Sequence, residues 1–476
     1  AGSTGPLWTA LVAVGVLLPV PDLLWMELLG ILLHAGGVLL TYLLARRLGL
    51  SPALALLAGG LAAATGWLAW AALSGMEIAL FVFLTLAGIV LHLDERAAPR
   101  RAPLSLAVLG VSALARPEGA LLVALAAADR LLRFRRTAEG ALGWERPGAT
   151  GLRRLVEGLA LAALAIGPVA LFYAAIGGSP LPTTLAAKTG GGGAGVHLPD
   201  LRYLHTAAGV LFQAHPWLTL LAPAGSIALV RRLGTPGDRG LLPALWLFGL
   251  PLAYSCLTPA AGSPLLGNFG RYLFPLLPLL IVLGVLGLEP LAAGLAPGRG
   301  GAAGRRLLAL AALAVLFVPT LAASARTAAL YTRNLADVDR GDVAMARWLA
   351  ERLPPEAVVA TMDIGALAAI LPNPIVDLAG IADPEVHAHI RRARAAGGTW
   401  QDGVLAFLAD RRPDYLVVFP EWLTEVERPG SPFRRLHAIH VPGNVTLGRD
   451  TLALYSTPWT SYPLREHAFE PPPGSP

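Results

Sequence analysis

The chain has 476 residues, of which 55% are hydrophobic and only 14% are charged. Soluble domains carry about 25% charged residues, so this composition excludes an ordinary soluble protein and indicates one that crosses a membrane several times. The net charge is +6, and the single cysteine, Cys256, excludes an internal disulfide and a cysteine-based metal site. The first residue is alanine and no signal peptide is recognisable, so we expect a start that is truncated or processed.

Apolar runs long enough to cross a bilayer, about 17–25 residues, recur through the first two thirds of the chain. The first run, residues 7–19, is too short to span, and we expect it to lie along the outer interface. We predict membrane-spanning helices near residues 23–44, 52–72, 76–93, 155–176, 208–230, 241–257, 272–291 and 306–325.

The apolar stretch 104–132 is too long for one span and is interrupted by Arg116-Pro117-Glu118. Proline cannot continue a helical hydrogen-bond ladder, so we predict a short helical hairpin with this triplet near its outer tip. The alternative, one long kinked helix, would place the arginine-rich stretch 130–154 outside the cell. The hairpin instead keeps every basic cluster on the cytoplasmic side, as the positive-inside rule requires. Those clusters lie at residues 46–47, 96–101, 130–154, 231–232 and 299–306.

The composition changes near residue 326 to that of a soluble α/β domain. We predict a multi-span membrane domain over 1–325, with an outer loop at 177–207 and about nine or ten membrane helices. Residues 326–476 are predicted to form an extracytoplasmic α/β domain with a disordered tail. Its expected helices lie at 343–353, 384–395 and 403–411, and its expected strands at 357–361, 374–378, 415–419, 436–441 and 451–455.

Ionisable residues near the membrane ends are the first candidates for function, because they cost about 2.5–3.5 kcal/mol at the centre of a span. Lys188 in the predicted outer loop is the only lysine, and the other 36 basic residues are arginines. Arg116, Lys188 and Arg271 form a plausible cluster for a phosphate group. Glu77 and Glu118 lie at the same predicted end. The structural alternatives are a membrane anchor for Arg271, a local ion pair for Arg116 and an interfacial carboxylate for Glu77.

Common catalytic and nucleotide-binding motifs do not occur in a fitting context, and the histidines lack the spacing of metal ligands. We assign no metal, no certain cofactor and no nucleic-acid partner, and leave open whether a divalent cation takes part. Asp363, Asp377 and Asp383 follow predicted strands, where α/β sheets often bind ligands. Turn and helix-cap roles are the structural alternative for these aspartates.

Seven short motifs follow one another along nearly the whole chain. They read GSTGPLW at 2–8, SGME at 74–77, RPEG at 116–119, PLPTTLAAK at 180–188, RY at 271–272, DLAGIAD at 377–383 and RPDY at 412–415. This ordered set resembles bacterial membrane glycosyltransferases of the GT-C type, the mannosyl- and arabinofuranosyltransferase-like enzymes that use polyprenyl-phosphate sugars. Each motif is weak alone, but the order is fairly specific.

The resemblance implies transfer of a sugar from a polyprenyl-phosphate donor to a glycan, lipid or protein acceptor at the outer face of the cytoplasmic membrane. It implies that Lys188 and Arg271 hold the donor phosphate, with Arg116 in support. Glu77 and Glu118 would orient those cations or a sugar hydroxyl.

The sequence departs from the family pattern in several places. Threonine stands at position 183 where the family usually has asparagine; Thr184, beside it, is assigned to substrate binding. The family's general base is an aspartate upstream of the first motif, so we expect it before Ala1 and assign no catalytic residue here.

Two other classes remain open. A transporter or flippase of lipid-linked sugars would place charged residues near the bilayer midplane and show inverted repeats, and the sequence shows neither. A non-catalytic membrane scaffold would use the exterior domain to bind a partner.

Overall fold

The computed structural model describes residues 3–98, 101–137, 141–177, 179–180, 197–257, 270–294 and 302–465. These residues belong to two compact units, one made of 3–180 with 197–328 and the other of 329–465. The first unit is built of apolar helices and the second contains a five-stranded sheet. This confirms the predicted fold class, a polytopic helical protein with a C-terminal α/β domain.

The first unit, called the membrane unit below, contains most of the helices. Its first half consists of α1 (Pro6–Val16), α2 (Asp22–Arg47), α3 (Pro52–Ala63), α4 (Gly66–Leu73), α5 (Ile78–Ala97), α6 (Leu104–Ala115) and α7 (Gly119–Leu131). Its second half consists of a hairpin of β1 (Arg133–Arg136) and β2 (Leu142–Glu145), then α8 (Ala149–Gly177), α9 (Leu201–Ala214), α10 (Pro216–Arg232), α11 (Leu242–Leu257), a 3₁₀ turn (Arg271–Leu276), α12 (Leu277–Gly294) and α13 (Ala302–Val338). The residues of α13 from 329 onward belong to the second unit.

Among the described residues, five helical stretches are long and apolar enough to cross a membrane. They are Asp22–Arg47, Ile78–Ala97, Ala149–Ile176, Arg271–Glu289 and Leu310–Arg352. Helices α3 and α4, bent by 52° at their junction, bring the number to six if they count as one span. The larger total of nine or ten stays a prediction.

The predicted continuous span 208–230 is wrong, because the helix breaks at His215. The residue before a proline avoids the helical region, and His215, before Pro216, has φ −146° and ψ 81°. The break is polar inside the unit: the His215 Nε2 lies 2.9 Å from Thr65 Oγ1 and its Nδ1 lies 3.2 Å from Thr320 Oγ1. Thr65 lies at the bend between α3 and α4, so side chains at the two helix breaks hydrogen-bond to each other.

Helices α6 and α7 form the predicted hairpin. At its base, the Arg130 Nη2 donates to Ser105 Oγ at 2.8 Å, so the start of α6 and the end of α7 lie together. At its tip, Gly119 packs so closely on α6 that a Cβ there would lie 2.4 Å from the Ala113 nitrogen. The stretch therefore enters and leaves at the same end of the unit.

The C-terminal domain is a sheet between two layers of helices. Its elements are α14 (Ala344–Arg352), β3 (Val359–Thr361), α15 (Ile364–Ile370), β4 (Ile375–Asp377), α16 (Glu385–Ala395), α17 (Trp400–Arg411), β5 (Tyr415–Val418), β6 (Arg434–His440) and β7 (Thr451–Ser456). The strand order is β4-β3-β5-β7-β6, with β4, β3 and β5 parallel and the remaining pairs antiparallel. The five predicted strands and three predicted helices are confirmed.

Side chains alternate across this sheet, as the pleat requires. Val359 and Val417 pack with Met345 of α14 on one face, whereas Ala360 and Val418 belong to the core on the other face, together with residues of α16 and α17. Helix α15 was not predicted, because its seven residues are too few to show a helical period.

Small residues allow α10 and α12 to pack backbone against backbone. A Cβ added to Gly225 of α10 would lie 1.9 Å from the Leu283 carbonyl oxygen, and one added to Gly287 of α12 would lie 2.3 Å from that of Leu221. Such close approach is a common basis of helix association within membranes. As a result, all residues of α12 from Leu277 to Gly287 are buried, and Gly284 among them packs on Leu218.

We predict that Gly225→Ala lowers the melting temperature of the purified chain, because its new methyl group forces α10 and α12 apart at a cost of about 1–3 kcal/mol. Gly167→Ala on α8 is the matched control, since nothing lies within 4 Å of its Cβ position. There the exchange should be neutral or stabilising by about 0.4–1 kcal/mol. Equal melting temperatures for the two variants would contradict the close packing.

Candidate functional site

A buried arginine occupies the tip of the α6–α7 hairpin. Pro117 excludes the helical conformation from the residue before it, and Arg116 accordingly has φ −150° and ψ 139°. The extended backbone turns its side chain into the unit, where only 4% of the residue is exposed. A charged group that is buried from water in this way is stable only when oppositely charged or hydrogen-bonding groups lie close to it.

Two carboxylates supply those partners. The Arg116 Nη2 donates to Glu118 Oε1 at 2.9 Å, and Nε lies 3.4 Å from Glu118 Oε2. The Arg116 Nη1 lies 3.6 Å from Glu77 Oε1, at the start of α5. That separation is too long for a hydrogen bond, and within the described ranges Nη1 is buried without a hydrogen-bond partner. The local ion pair exists, but it leaves one edge of the guanidinium unsatisfied.

Arg271 joins this group through an aromatic ring. Gly270 adopts a left-handed φ of 70° and starts the 3₁₀ turn that carries Arg271 and Tyr272. The Tyr272 ring lies 4.9 Å from the Arg116 guanidinium carbon and 5.4 Å from that of Arg271. The Arg271 Nη1 also lies 3.1 Å from Met76 Sδ, next to Glu77 in the chain. The structure therefore brings together four predicted site residues, Glu77, Arg116, Glu118 and Arg271.

Tyrosines form one side of the site, and sequence reasoning missed two of them. The Tyr254 hydroxyl of α11 donates to Glu118 Oε1, and its ring centroid lies 5.9 Å from that of Tyr272. The Tyr203 ring follows at 6.2 Å from Tyr254. The sequence signal that could have identified Tyr254 was its hydroxyl group near the end of a mostly apolar run, PLAYSCL at 251–257.

The first helix also contacts this site. A Cβ on Gly5 would lie 2.8 Å from the Ala115 carbonyl oxygen and 3.4 Å from Glu77 Cγ. Trp8 Nε1 donates to the Gly75 carbonyl oxygen at 3.0 Å. The segments 3–8, 74–77 and 116–119, which belong to three of the motifs, therefore meet at one place.

Two predicted site residues, Lys188 and Thr184, lie outside the described residues, and their roles stay predictions. Within the described ranges no three His, Cys, Asp or Glu side chains gather in a way that could hold a metal ion.

Two of the three strand-end aspartates of the C-terminal domain have structural contacts. Asp377 accepts hydrogen bonds from the backbone amides of Ala379, Gly380 and Ala382 and so shapes the turn after β4. Asp383 pairs with Arg411 at 3.0 Å. These contacts favour the turn and capping alternative.

Asp363 lies after β3, and its charge affects the pKa of a buried carboxylate, Asp342. The long helix Leu310–Arg352 is about twice the length that a span needs, and its residues from 329 belong to the C-terminal domain. Asp342 is 5% exposed there, in a π turn at Asp339–Val343, and its Oδ1 has no hydrogen-bond partner within the described ranges. Burial and the charge of Asp363 raise the pKa of Asp342 to about 7. Burial also raises the pKa of Asp363.

Comparison with known proteins gives limited matches. A domain family of unknown function, DUF8728, matches residues 329–461, the C-terminal domain. No curated protein matches the chain.

Two solved structures are similar, both electron cryo-microscopy structures of a mutant arabinofuranosyltransferase AftD from Mycobacteria, classes 1 and 2. Each is 20% identical and covers 94% of this chain, with TM-scores of 0.45 and 0.46. The chain spans 36% of the length of those structures.

We predict that Glu118→Ala destabilises the membrane unit by about 3–5 kcal/mol, because it leaves the Arg116 charge buried without its nearest partner. The double variant Arg116→Met with Glu118→Leu should recover most of that loss, since the charge is removed with its partner. The measurement is the thermal unfolding of the purified chain in detergent. A single variant as stable as the parent would show that Arg116 does not depend on Glu118.

We predict that Asp342 makes the stability of the C-terminal domain depend on pH. Its pKa is raised to about 7 in the folded state, against about 3.9 in an unfolded chain. Relative to high pH, the protonated Asp342 side chain therefore stabilises the folded domain fully below about pH 4, and this stability is lost as the pH rises through 7. Asp342→Asn should stabilise the domain at pH 8 by about 2–4 kcal/mol, and hardly at pH 4.

Hydrogen exchange of the β3 and β5 amides in the full chain, compared between variant and parent at each pH, measures this difference. Asp339→Asn, at an exposed position of the same turn, is the control and should show no such pH dependence. A pH-independent effect of Asp342→Asn would refute the raised pKa.

Proposed function

We propose that this chain is a membrane glycosyltransferase that moves a sugar from a polyprenyl-phosphate donor to a glycan, lipid or protein acceptor. This proposal rests on the Arg116 guanidinium, which is buried and positioned by carboxylates but whose Nη1 edge has no hydrogen-bond partner among the described residues. The Arg271 guanidinium lies near the same Tyr272 ring. Two guanidinium groups at one tyrosine ring suit a phosphate, which arginine recognises through paired N–H donors.

The chemistry needs positive charge at the leaving group. As the bond between sugar and phosphate breaks, negative charge develops on the phosphate oxygens, and cations fixed before the reaction stabilise it. In this proposal Arg271 and Lys188 bind the phosphate, while Arg116 supports it from the protein side. Glu118 holds the Arg116 fork, and Glu77 orients a cation or a sugar hydroxyl.

The remaining parts of the proposal concern the acceptor. Tyr203, Tyr254 and Tyr272 provide flat faces with polar edges beside the phosphate position. Thr184 is assigned to substrate binding. The base that deprotonates the acceptor is the aspartate expected upstream of Ala1. The C-terminal domain, placed outside the cytoplasmic membrane, would hold or select the acceptor.

We predict that Arg271→Gln lowers transfer by about 10²–10³-fold, the usual effect of removing one donor that stabilises developing charge. The test replaces the chromosomal gene in the native host, so that the whole natural protein is present. Mass spectrometry then quantifies the polyprenyl-phosphate sugars and the envelope glycans. Arg271→Gln and Lys188→Ala should accumulate the donor lipid and lose one glycan linkage.

The control is Arg231→Gln, which removes the same charge from an exposed position at the end of α10. It should leave both lipid and glycan unchanged. Normal glycans in the Arg271 and Lys188 variants would overturn the proposal and favour a scaffold. Donor lipid that accumulates only in the inner leaflet would indicate a flippase instead.

A further inference from the structure

A second charged region lies at the base of the α6–α7 hairpin, at the opposite end from Arg116. The ends of α5 and α7 and the start of α8 enclose a cavity of about 270 Å³ there. Five arginines line it, Arg101, Arg130, Arg133, Arg146 and Arg154. Its size is just below the roughly 300–1,000 Å³ of drug-sized ligand pockets, which suits a small polar group.

Acidic residues neutralise this cavity only in part. Glu95 is already occupied, because its Oε1 accepts from the Ser105 amide at 2.8 Å, its Oε2 accepts from Ser105 Oγ at 2.7 Å, and Arg130 contacts the same Oε2. Glu145 is the other glutamate of the lining, and just outside it Asp94 lies 3.5 Å from Arg101 and Glu157 lies 3.9 Å from Arg154. Within the described residues, Arg133 and Arg146 are the lining arginines without a carboxylate within 4 Å. Burial and the neighbouring positive charge of Arg96 lower the pKa of Arg133, because both disfavour its charged form.

The backbone adds donors at the same wall. Gly148, Thr150 and Gly151 line the cavity where α8 begins at Ala149. The first amides of a helix have no partner within the helix and attract negative groups. Arginine side chains and helix amides thus face one space.

The residues around the cavity place it at the level of lipid headgroups. Trp144 of β2 is 57% exposed, and its Nε1 donates to the Leu131 carbonyl oxygen at the end of α7 at 3.1 Å. Leu142 and Leu152 are exposed nearby. Tryptophan gathers at the interface between water and hydrocarbon, and exposed leucines suit the hydrocarbon. The arginine clusters predict that this is the cytoplasmic interface.

We propose that this cavity binds the phosphate of an anionic lipid headgroup, at a site separate from the donor site. A phosphodiester oxygen would accept from Arg133 and Arg146 and from the first amides of α8, while the acyl chains lie along Leu142 and Leu152. Basic pockets between membrane helices on the cytoplasmic side bind lipid headgroups in this way.

The test measures lipid binding to the purified full chain in neutral detergent by native mass spectrometry and by thermal unfolding. The probes are phosphatidylglycerol, phosphatidylcholine and inorganic phosphate. Phosphatidylglycerol should bind and raise the melting temperature. The double variant Arg133→Gln with Arg146→Gln should weaken that binding about tenfold or more. The single variant Arg146→Gln, at an exposed loop position, should weaken it in the same direction without a change in basal stability.

Arg135→Gln is the control, because Arg135 lies on the same strand but does not line the cavity. It should change binding less than twofold. Equal weakening by Arg135→Gln, or equal binding of phosphatidylcholine, would overturn the proposal, since general surface attraction would then suffice. Protection by inorganic phosphate alone would show a soluble phosphate ligand in place of a lipid, and no binding of any probe would also refute the site.

Discussion

The burial of one guanidinium group constrains much of the membrane unit. Removing the Arg116 charge from water costs several kcal/mol unless other groups compensate for it. The compensation comes from Glu118 in the hairpin tip, Glu77 before α5 and the rings of Phe81 and Tyr272. Tyr254 adds a fourth part of the chain, α11, through its contact with Glu118. Four separate parts of the chain converge because a single buried charge needs all of them.

The two ends of the α6–α7 hairpin differ in how their charged groups are balanced and buried. At the tip, positive and negative groups are closely matched and largely buried, with side-chain exposures of 5% for Arg116 and 15% for Glu118. At the base, arginines exceed carboxylates and several are open to solvent, as with Arg101 at 61%. Salt screens exposed charges much more than buried ones. The ion pairs at the tip should therefore depend less on ionic strength than the charges at the base.

Sequence patterns predicted features that depend on neighbouring residues. The triplet at 116–118 predicts the hairpin because proline and two charges interrupt a long apolar run. Short apolar runs of the β type predict the strands of the C-terminal domain. Features that depend on distant partners were not predictable. The helix break at His215 has a local signal, since Pro216 follows it, but the contacts of His215 with Thr65 and Thr320, 150 and 105 residues away, have none. Tyr254 reaches Glu118 over 136 residues, and no local period announces such a contact.

The contact geometry also explains why the buried cation at position 116 is an arginine rather than a lysine. Arg116 holds Glu118 with Nη2 and Nε, on one side of the planar group, and directs Nη1 at Glu77 across 3.6 Å. Lysine carries a compact ammonium group in place of a planar fork, so it could not hold Glu118 through two parallel N–H donors. The separation from Glu77 exceeds a hydrogen-bond distance, so this pair attracts by charge without a hydrogen bond. The contacts with Glu118 therefore fix the plane of the guanidinium group, while Nη1 has no hydrogen-bond partner among the described residues.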